Sequence, residues 1–469
     1  MRRSSSQELA STWSSADQID RRSVVHRLAA YVTSARGRPV QAQTAAAVRR
    51  SILDLLGAAA AGVQNSGASA VRATAITTMA EGTVPIWFSG LCSSAVGAAW
   101  ANSAAAAAVD LDDGHRMARG HPGAAVIPTA IALAHETGAS LTEVVGAIVI
   151  GYEVGVTIGA ARLTYGNTGT WSSYAVVATA AALRRTESPI IAHALAIAGE
   201  SAPNQLFASA PPQPLRPEGS DVKEGIAWSV VTGLTALRLA EAGHTGPRNI
   251  LDSTLHYRFP VDLGLGASQH IGRSYFKLYA CCRHVHAPLE CLLNVIQQHR
   301  LDPRAIEAIE VQTYSGALRI ANSPRPRHLV DVQYSIPYCL ALAALVGQES
   351  LLPLGPEALG RKEVEVLAER VSVTLDPVLD ARFPTETLAR VIVVTAGRRF
   401  VSEVMAPRGE ASSPLTWGEL EAKFIAASAG VLGQTERMDL LRSVGAMENG
   451  ELSPLLDDLR RLSLTRRQS

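Results

Sequence analysis

Aromatic residues make up only 5% of this 469-residue chain. That shortage excludes a large aromatic-lined sheet and leaves Ala, Leu and Val to fill the interior, a mix suited to closely packed helices. Cysteines are also few. Cys92, Cys281, Cys282, Cys291 and Cys339 are too sparse, and odd in number, for a disulfide framework, and they point to a reducing compartment. Net charge is almost missing: 43 basic residues stand against 42 acidic ones, for a formal +1. Such balance excludes the electrostatic footprint of a nucleic-acid binder. The arginines at Arg460, Arg461, Arg466 and Arg467 read as a solvated C-terminal tail.

Other absences narrow the field further. The opening stretch MRRSSSQELASTWSSADQID has a basic start but no apolar run, so no secretory signal is expected and residues 1–22 read as a flexible tail. Residues 144–161 carry Glu153 and several glycines, and 174–183 are too short to span a bilayer, so both read as buried helices. There is no GxGxxG after a strand, no P-loop, no HExxH and no GxSxG. The expectation is a soluble cytoplasmic protein with no membrane or nucleic-acid partner.

What is present is helical periodicity. Ala and Leu recur at three- and four-residue spacing over 44–61, 94–108, 124–135, 141–160, 172–184, 190–198 and 224–242. The texture changes after about residue 274. Residues 305–313, 371–375 and 388–396 have strand character, the last followed by a turn and a second strand (VSEVM), with helices over 288–299, 336–346 and 363–370 between them. Helical character returns from Thr416. The fold class expected is mainly α: a large all-helical domain (23–272 plus 405–469) with an inserted smaller α+β lid domain (273–404).

Three polar segments sit among the apolar helices. The first runs Asp110-Leu111-Asp112-Asp113-Gly114-His115 and on to His121-Pro122-Gly123. Asp112 and Asp113 read equally well as ordinary caps and solvated loop residues or as functional carboxylates. Pro122 suits a first helical position, which places His121 at a helix N-terminus, where an anion is favoured and an imidazole pKa is depressed. The second runs from Lys277 through Cys281, Cys282, Arg283 and His284 to His286, with Pro288 expected to open the next helix. Arg283 offers a planar fork for a carboxylate. Metal binding by Cys281, Cys282, His284 and His286 ranks lower, since the spacing matches no common zinc pattern. The third is Thr168-Gly169-Thr170 before a helix, readable as a simple cap or as a carboxylate cradle.

Taken together, SILDLLGAAAAGV (51–63), DLDDGH (110–115), HPGAAVIPTAIAL (121–133), GYEVGVTIG (151–159), TGTW (168–171), GHTGP (243–247), KLYACCRHVHAPLE (277–290), QYSIPY (333–338) and SPLTWGELEAKF (413–424) resemble the MmgE/PrpD family in family order. That family contains 2-methylcitrate dehydratases, cis-aconitate decarboxylases and iminodisuccinate epimerases. The resemblance implies a helical domain, an α+β lid, a homodimer, and a small polycarboxylate substrate handled without metal or organic cofactor. It also implies catalytic roles for His121, His286, Lys223 and Asp110, with Arg283, Thr168, Thr170, His115 and Lys277 as candidate substrate contacts. The histidines are expected as an acid–base pair of unassigned order. Two positions depart from the pattern: no histidine precedes Thr168, and Gly114 stands where the decarboxylases carry threonine. Both departures point to a divergent substrate. Dehydration is the expected reaction, with epimerisation, decarboxylation and a non-catalytic carboxylate binder as alternatives, and a metal-dependent hydrolase behind them.

Overall fold

The computed structural model describes residues 23–164, 166–203 and 220–464. The expected tail at 1–22 and the arginines Arg466 and Arg467 lie outside them. Arg460 and Arg461 do not form a loose tail, because both stand on the helix Ser453–Leu464, where Arg461 bridges Asp439 and Asp458.

The first half is a stack of helices made close by small residues. In chain order they are α1 (Val24–Ala35), α2 (Ala42–Gly62), α3 (Ser66–Thr78), α4 (Ala95–Ala107), α5 (Gly123–Thr137), α6 (Leu141–Ala161), α7 (Gly169–Arg184), α8 (Ser188–Glu200) and α9 (Ile226–Glu241). A capping box starts α6: the Ser140 hydroxyl accepts from the Glu143 N–H while Glu143 accepts from the Ser140 N–H. This helix is long and apolar enough to cross a membrane, yet 89% of its apolar window is buried among its neighbours. α4 is alanine-rich and almost wholly buried, which lets α2, α5 and α9 close in around it. Between α3 and α4 lies a short antiparallel hairpin, β1 (Val84–Ile86) and β2 (Leu91–Ser93), too brief to leave a periodic signal.

The second half begins with α10 (Arg283–His299) and holds a four-stranded sheet ordered β4-β3-β5-β6. β3 (Ile306–Thr313) is central, pairing parallel with β4 (Val371–Leu375) and antiparallel with β5 (Ala389–Thr395), which pairs with β6 (Arg398–Val401). The turn falls at Ala396-Gly397, both at positive φ, so the last strand starts at Arg398 rather than in the following VSEVM. α10 packs on β5, and also on α11 (Ile336–Leu345), which in turn packs on α12 (Lys362–Ala368). The chain then returns as α13 (Trp417–Ser428), opened by a Thr416–Glu419 capping box, α14 (Gln434–Ala446) and α15 (Ser453–Leu464). α13 lies along α2. The described chain is mainly α.

Two helices start three or more residues earlier than their sequence signals suggest. α7 begins at Gly169 instead of 172. α10 begins at Arg283, so Pro288 sits inside it and His286 occupies its first turn rather than preceding it. Proline in the second turn gives up the bond its N–H would have made four residues back, and its ring crowds the His284 carbonyl. In contrast α9 begins at Ile226, because Lys223, Glu224 and Gly225 all take positive φ (44°, 56° and 69°) and cannot continue a right-handed helix.

The α2–α4 contact is close enough to test. A Cβ built on Gly62 lies 2.0 Å from the backbone oxygen of Ala105. Gly62→Ala is expected to destabilise the protein by about 1–3 kcal/mol in urea unfolding; an unchanged midpoint would contradict this packing.

Candidate active site

α4 ends at Ala107, and the chain turns back through Asp110 at φ 56°, a left-handed conformation that costs a non-glycine residue free energy. Distant side chains catch the carbonyls of this turn. Gln333 Nε2 donates to Ala108 at 3.1 Å, Lys277 Nζ to Asp110 at 2.8 Å, and Lys423 Nζ to Leu111 at 2.9 Å. Gly114 then pairs with Tyr275 in a two-residue antiparallel bridge, with N···O distances of 3.0 and 2.8 Å. The first-half loop and the chain leading into α10 are thereby joined.

The Asp110 carboxylate sits among three cations. Its Oδ1 is 3.4 Å from Lys223 Nζ and 3.8 Å from His121 Nε2, and its Oδ2 is 3.4 Å from Lys277 Nζ. All four residues are buried, Lys277 completely. Burial by itself pushes the Asp110 carboxyl up, but Lys223, Lys277 and His121 together hold it far below the usual carboxylate range. Lys277 is pulled down by burial and raised further by Asp110 and Asp112, so it stays an ammonium. Lys223 Nζ also donates to Gln333 Oε1 at 2.7 Å and stands 4.9 Å from the centre of the Tyr334 ring. Gln333 and Tyr334 escaped the sequence reading, since QYSIPY carries no charged residue to draw attention.

His121 departs from expectation. Its Nδ1 lies 2.8 Å from the Asp113 carbonyl, to which it donates, and 3.3 Å from Asp112 Oδ2. Burial and Lys277 depress this imidazole, but Asp112, by charge and hydrogen bond, and Asp110 reverse them and raise it to about 9. The depression expected from a helix N-terminus does not occur, because Asp112 and Asp110 outweigh it, and that helix end is itself occupied. Asp113 Oδ1 accepts from the Gly123 N–H at 2.9 Å, and its Oδ2 from the Tyr152 hydroxyl at 2.8 Å. Asp112 and Asp113 are therefore buried members of the site, not solvated loop residues.

The start of α7 is filled in the same way. Glu224 Oε2 accepts from the Thr168 N–H at 3.0 Å and from the Thr168 hydroxyl at 2.6 Å, while Thr168 Oγ1 accepts from the His121 N–H at 3.2 Å. Thr170 Oγ1 donates to the Asn167 carbonyl at 2.8 Å and accepts from Arg162 at 2.6 Å. The expected carboxylate cradle is thus filled by Glu224 from the same chain.

His286 is held by Nε2, 3.2 Å from the Cys281 carbonyl, and packs 5.5 Å from the Tyr279 ring. Burial, then Arg283 and Lys277, drive its pKa well below 6.5, so it is neutral. Arg283 does not present its fork to a ligand. It pairs with Glu410, with Nε at 3.0 Å, and its terminal nitrogen donates to the Arg408 carbonyl at 3.0 Å; Arg116 shares the same Glu410. His284 is bound to the Tyr314 hydroxyl at 2.6 Å. His115 packs edge-on to His270 at 5.3 Å, and burial, then His270, bring its pKa down to about 3. Its ring contact is thus with that second histidine.

Ligand atoms of Asp110, Asp112 and His121 come within 4.8 Å of one another, the one such cluster among the described residues. The donor set fits a metal poorly, since the ammonium groups of Lys223 and Lys277 already stand against Asp110 and would repel a divalent ion. Cys281, Cys282, His284 and His286 do not converge on a common point among the described residues.

A pH titration tests this electrostatic arrangement. His121 is expected to stay protonated to about pH 9 by NMR, and Asp112→Asn to lower its midpoint by about one unit or more. With the folded value above the unfolded one, this charge stabilises the fold fully below the ordinary 6.5 and ceases to do so as pH rises through about 9. A His121 midpoint below 7 would overturn the assignment.

Comparison with known proteins gives two kinds of match. The model of the MmgE/PrpD N-terminal domain matches residues 26–257, and that of the MmgE/PrpD C-terminal domain matches residues 279–447. A cis-aconitate decarboxylase of Aspergillus terreus is 27% identical over 406 residues, covering 77% of this chain and 80% of that protein. A second cis-aconitate decarboxylase, from Aspergillus terreus strain NIH 2624 / FGSC A1156, is 28% identical over 319 residues, covering 59% of this chain and 63% of its own length.

Proposed function

The chain belongs to the MmgE/PrpD family, and from that footing we propose that it is a lyase of small polycarboxylates that works by proton transfer next to a carboxylate, without an organic cofactor. The observation that carries this reading is the charge set around Asp110. The cations Lys223, Lys277 and His121 converge on the carboxylates of Asp110 and Asp112 in a water-poor site. An anionic substrate is drawn to such a site, and a dianionic enediolate more so.

The two histidines are split into complementary states. His121, raised to about 9, is a proton donor at neutral pH; His286, with Nε2 committed to the Cys281 carbonyl, is neutral and retains a basic nitrogen. In dehydration, His286 takes the proton α to a carboxylate, the C–H pair becomes the new C=C bond, and the β C–O bond breaks. His121 gives its proton to the departing hydroxyl, which leaves as water. Lys223 and Lys277 hold carboxylates, and Asp110 orients the cations. Dehydration leads, and the cis-aconitate decarboxylase relatives favour a second reading. In that reading the C–C bond to a carboxylate breaks, carbon dioxide leaves, and His121 protonates the carbanion. Both readings include a homodimer, checked by sedimentation.

The test is incubation with 2-methylcitrate, cis-aconitate and iminodisuccinate in deuterated water, followed by NMR. The expected result is turnover or α-proton exchange with at least one, and a loss of about 10²-fold or more in His121→Ala and Lys223→Met. No exchange with any of them would sink the lyase reading. Thermal stabilisation by polycarboxylates without turnover would identify a binding protein instead.

A further inference from the structure

Behind the site lies a buried ion pair that the acid–base reading does not use. Asp54 stands in the middle of α2 and Lys423 in α13, and the Lys423 ammonium is bound to the Asp54 carboxylate with both side chains sealed from solvent. Lys423 makes a second bond, to the carbonyl of Leu111 at 2.9 Å. That peptide lies directly between Asp110 and Asp112, the two carboxylates that flank His121.

The pair is poorly explained as a stabilising device. Buried ion pairs are commonly replaceable by apolar side chains of similar volume at no loss of stability. Asp54 Oδ2 is buried without a hydrogen-bond partner, a further cost for a merely structural carboxylate. An apolar pair in its place has no means of holding the Leu111 carbonyl. Holding it matters, because Asp110 is in the left-handed region, and such a residue stays there only when its surroundings over-determine it. Gln333 and Lys277 secure the Ala108 and Asp110 carbonyls; Lys423 secures the next one from α13.

We propose that Asp54 and Lys423 are positioning residues of the active site: Lys423 fixes the Leu111 peptide and so aims Asp110 and Asp112 at His121, and Asp54 holds Lys423 in place. This rests on the proposed acid–base role of His121. The charged and titratable groups facing His121 are Asp110, Asp112, Asp113 and Lys277; those facing Lys423 are Asp54, Asp112 and Lys277. Neither member of the pair is meant to touch substrate.

The test is the double variant Asp54→Asn/Lys423→Met in the full chain. It removes both charges, keeps side-chain volume, and leaves no unpaired buried ion, whereas Lys423→Met alone strands the Asp54 carboxylate and serves only as a folding control. The folded double variant, checked by circular dichroism, is expected to lose about tenfold or more in kcat with KM within about threefold of the parent. Its His121 midpoint is expected to fall by about one unit or more, because Asp112 and Asp110 no longer converge on the imidazole. A folded double variant with the parent's His121 titration and kcat would overturn the proposal. If the parent itself turns over no polycarboxylate, the lyase reading fails, and the His121 titration of the double variant still decides whether the pair positions the loop.

Discussion

A buried carboxylate at a left-handed turn organises this protein. Asp110 is out of water, in a backbone conformation that disfavours side chains, and within 4 Å of two ammonium groups and an imidazole. None of these would be stable alone, since each buried charge needs its partners. The helix stack supplies the loop that carries Asp110 and His121, the left-handed bend before α9 supplies Lys223, and the strand-like segment before α10 supplies Lys277. The site therefore exists only when the two halves of the chain are together.

Two helix N-termini face this region, and both are satisfied internally, by Asp113 at α5 and Glu224 at α7. This shifts the source of positive potential from backbone N–H groups to side-chain cations. It also explains why the two histidines behave oppositely although both lie near the start of a helix. His121 has two carboxylates in reach and is raised; His286 is lowered first by burial and then by Arg283 and Lys277, which outweigh Asp110. The local sequence contexts look alike, and the tertiary charges decide the outcome.

The helical periods of the first half, the three principal strands and the polar segments at 110–121 and 277–286 were legible because each is a local pattern: spacing of small apolar residues, alternation, or a dense run of titratable groups. The places where reading went astray were decided elsewhere. Pro288 looked like a helix start, but α10 opens five residues earlier because its first turn is fixed by packing, with Cys282 N bonded to the Gln333 carbonyl. Arg283 looked like a free carboxylate fork, but Glu410, 127 residues away, fills it. Gln333, Tyr334, Asp54 and Lys423 lie in segments that mark the family, but nothing local singles them out within those segments, because an amide, a phenol or an isolated ion pair gains meaning only from what it meets.

On its own, the amino-acid sequence determined the mainly helical class, the family and the run of residues in which the chemistry is concentrated, since composition and short-range spacing suffice for these. His121 and His286 were visible there too. Their protonation states, the loss of the helix ends as anion sites and the assignment of Lys223 and Lys277 as the groups facing Asp110 came only with the tertiary structure. The physical reason is that a pKa and a vacant hydrogen-bond donor depend on burial and on charges brought together from segments more than 100 residues apart.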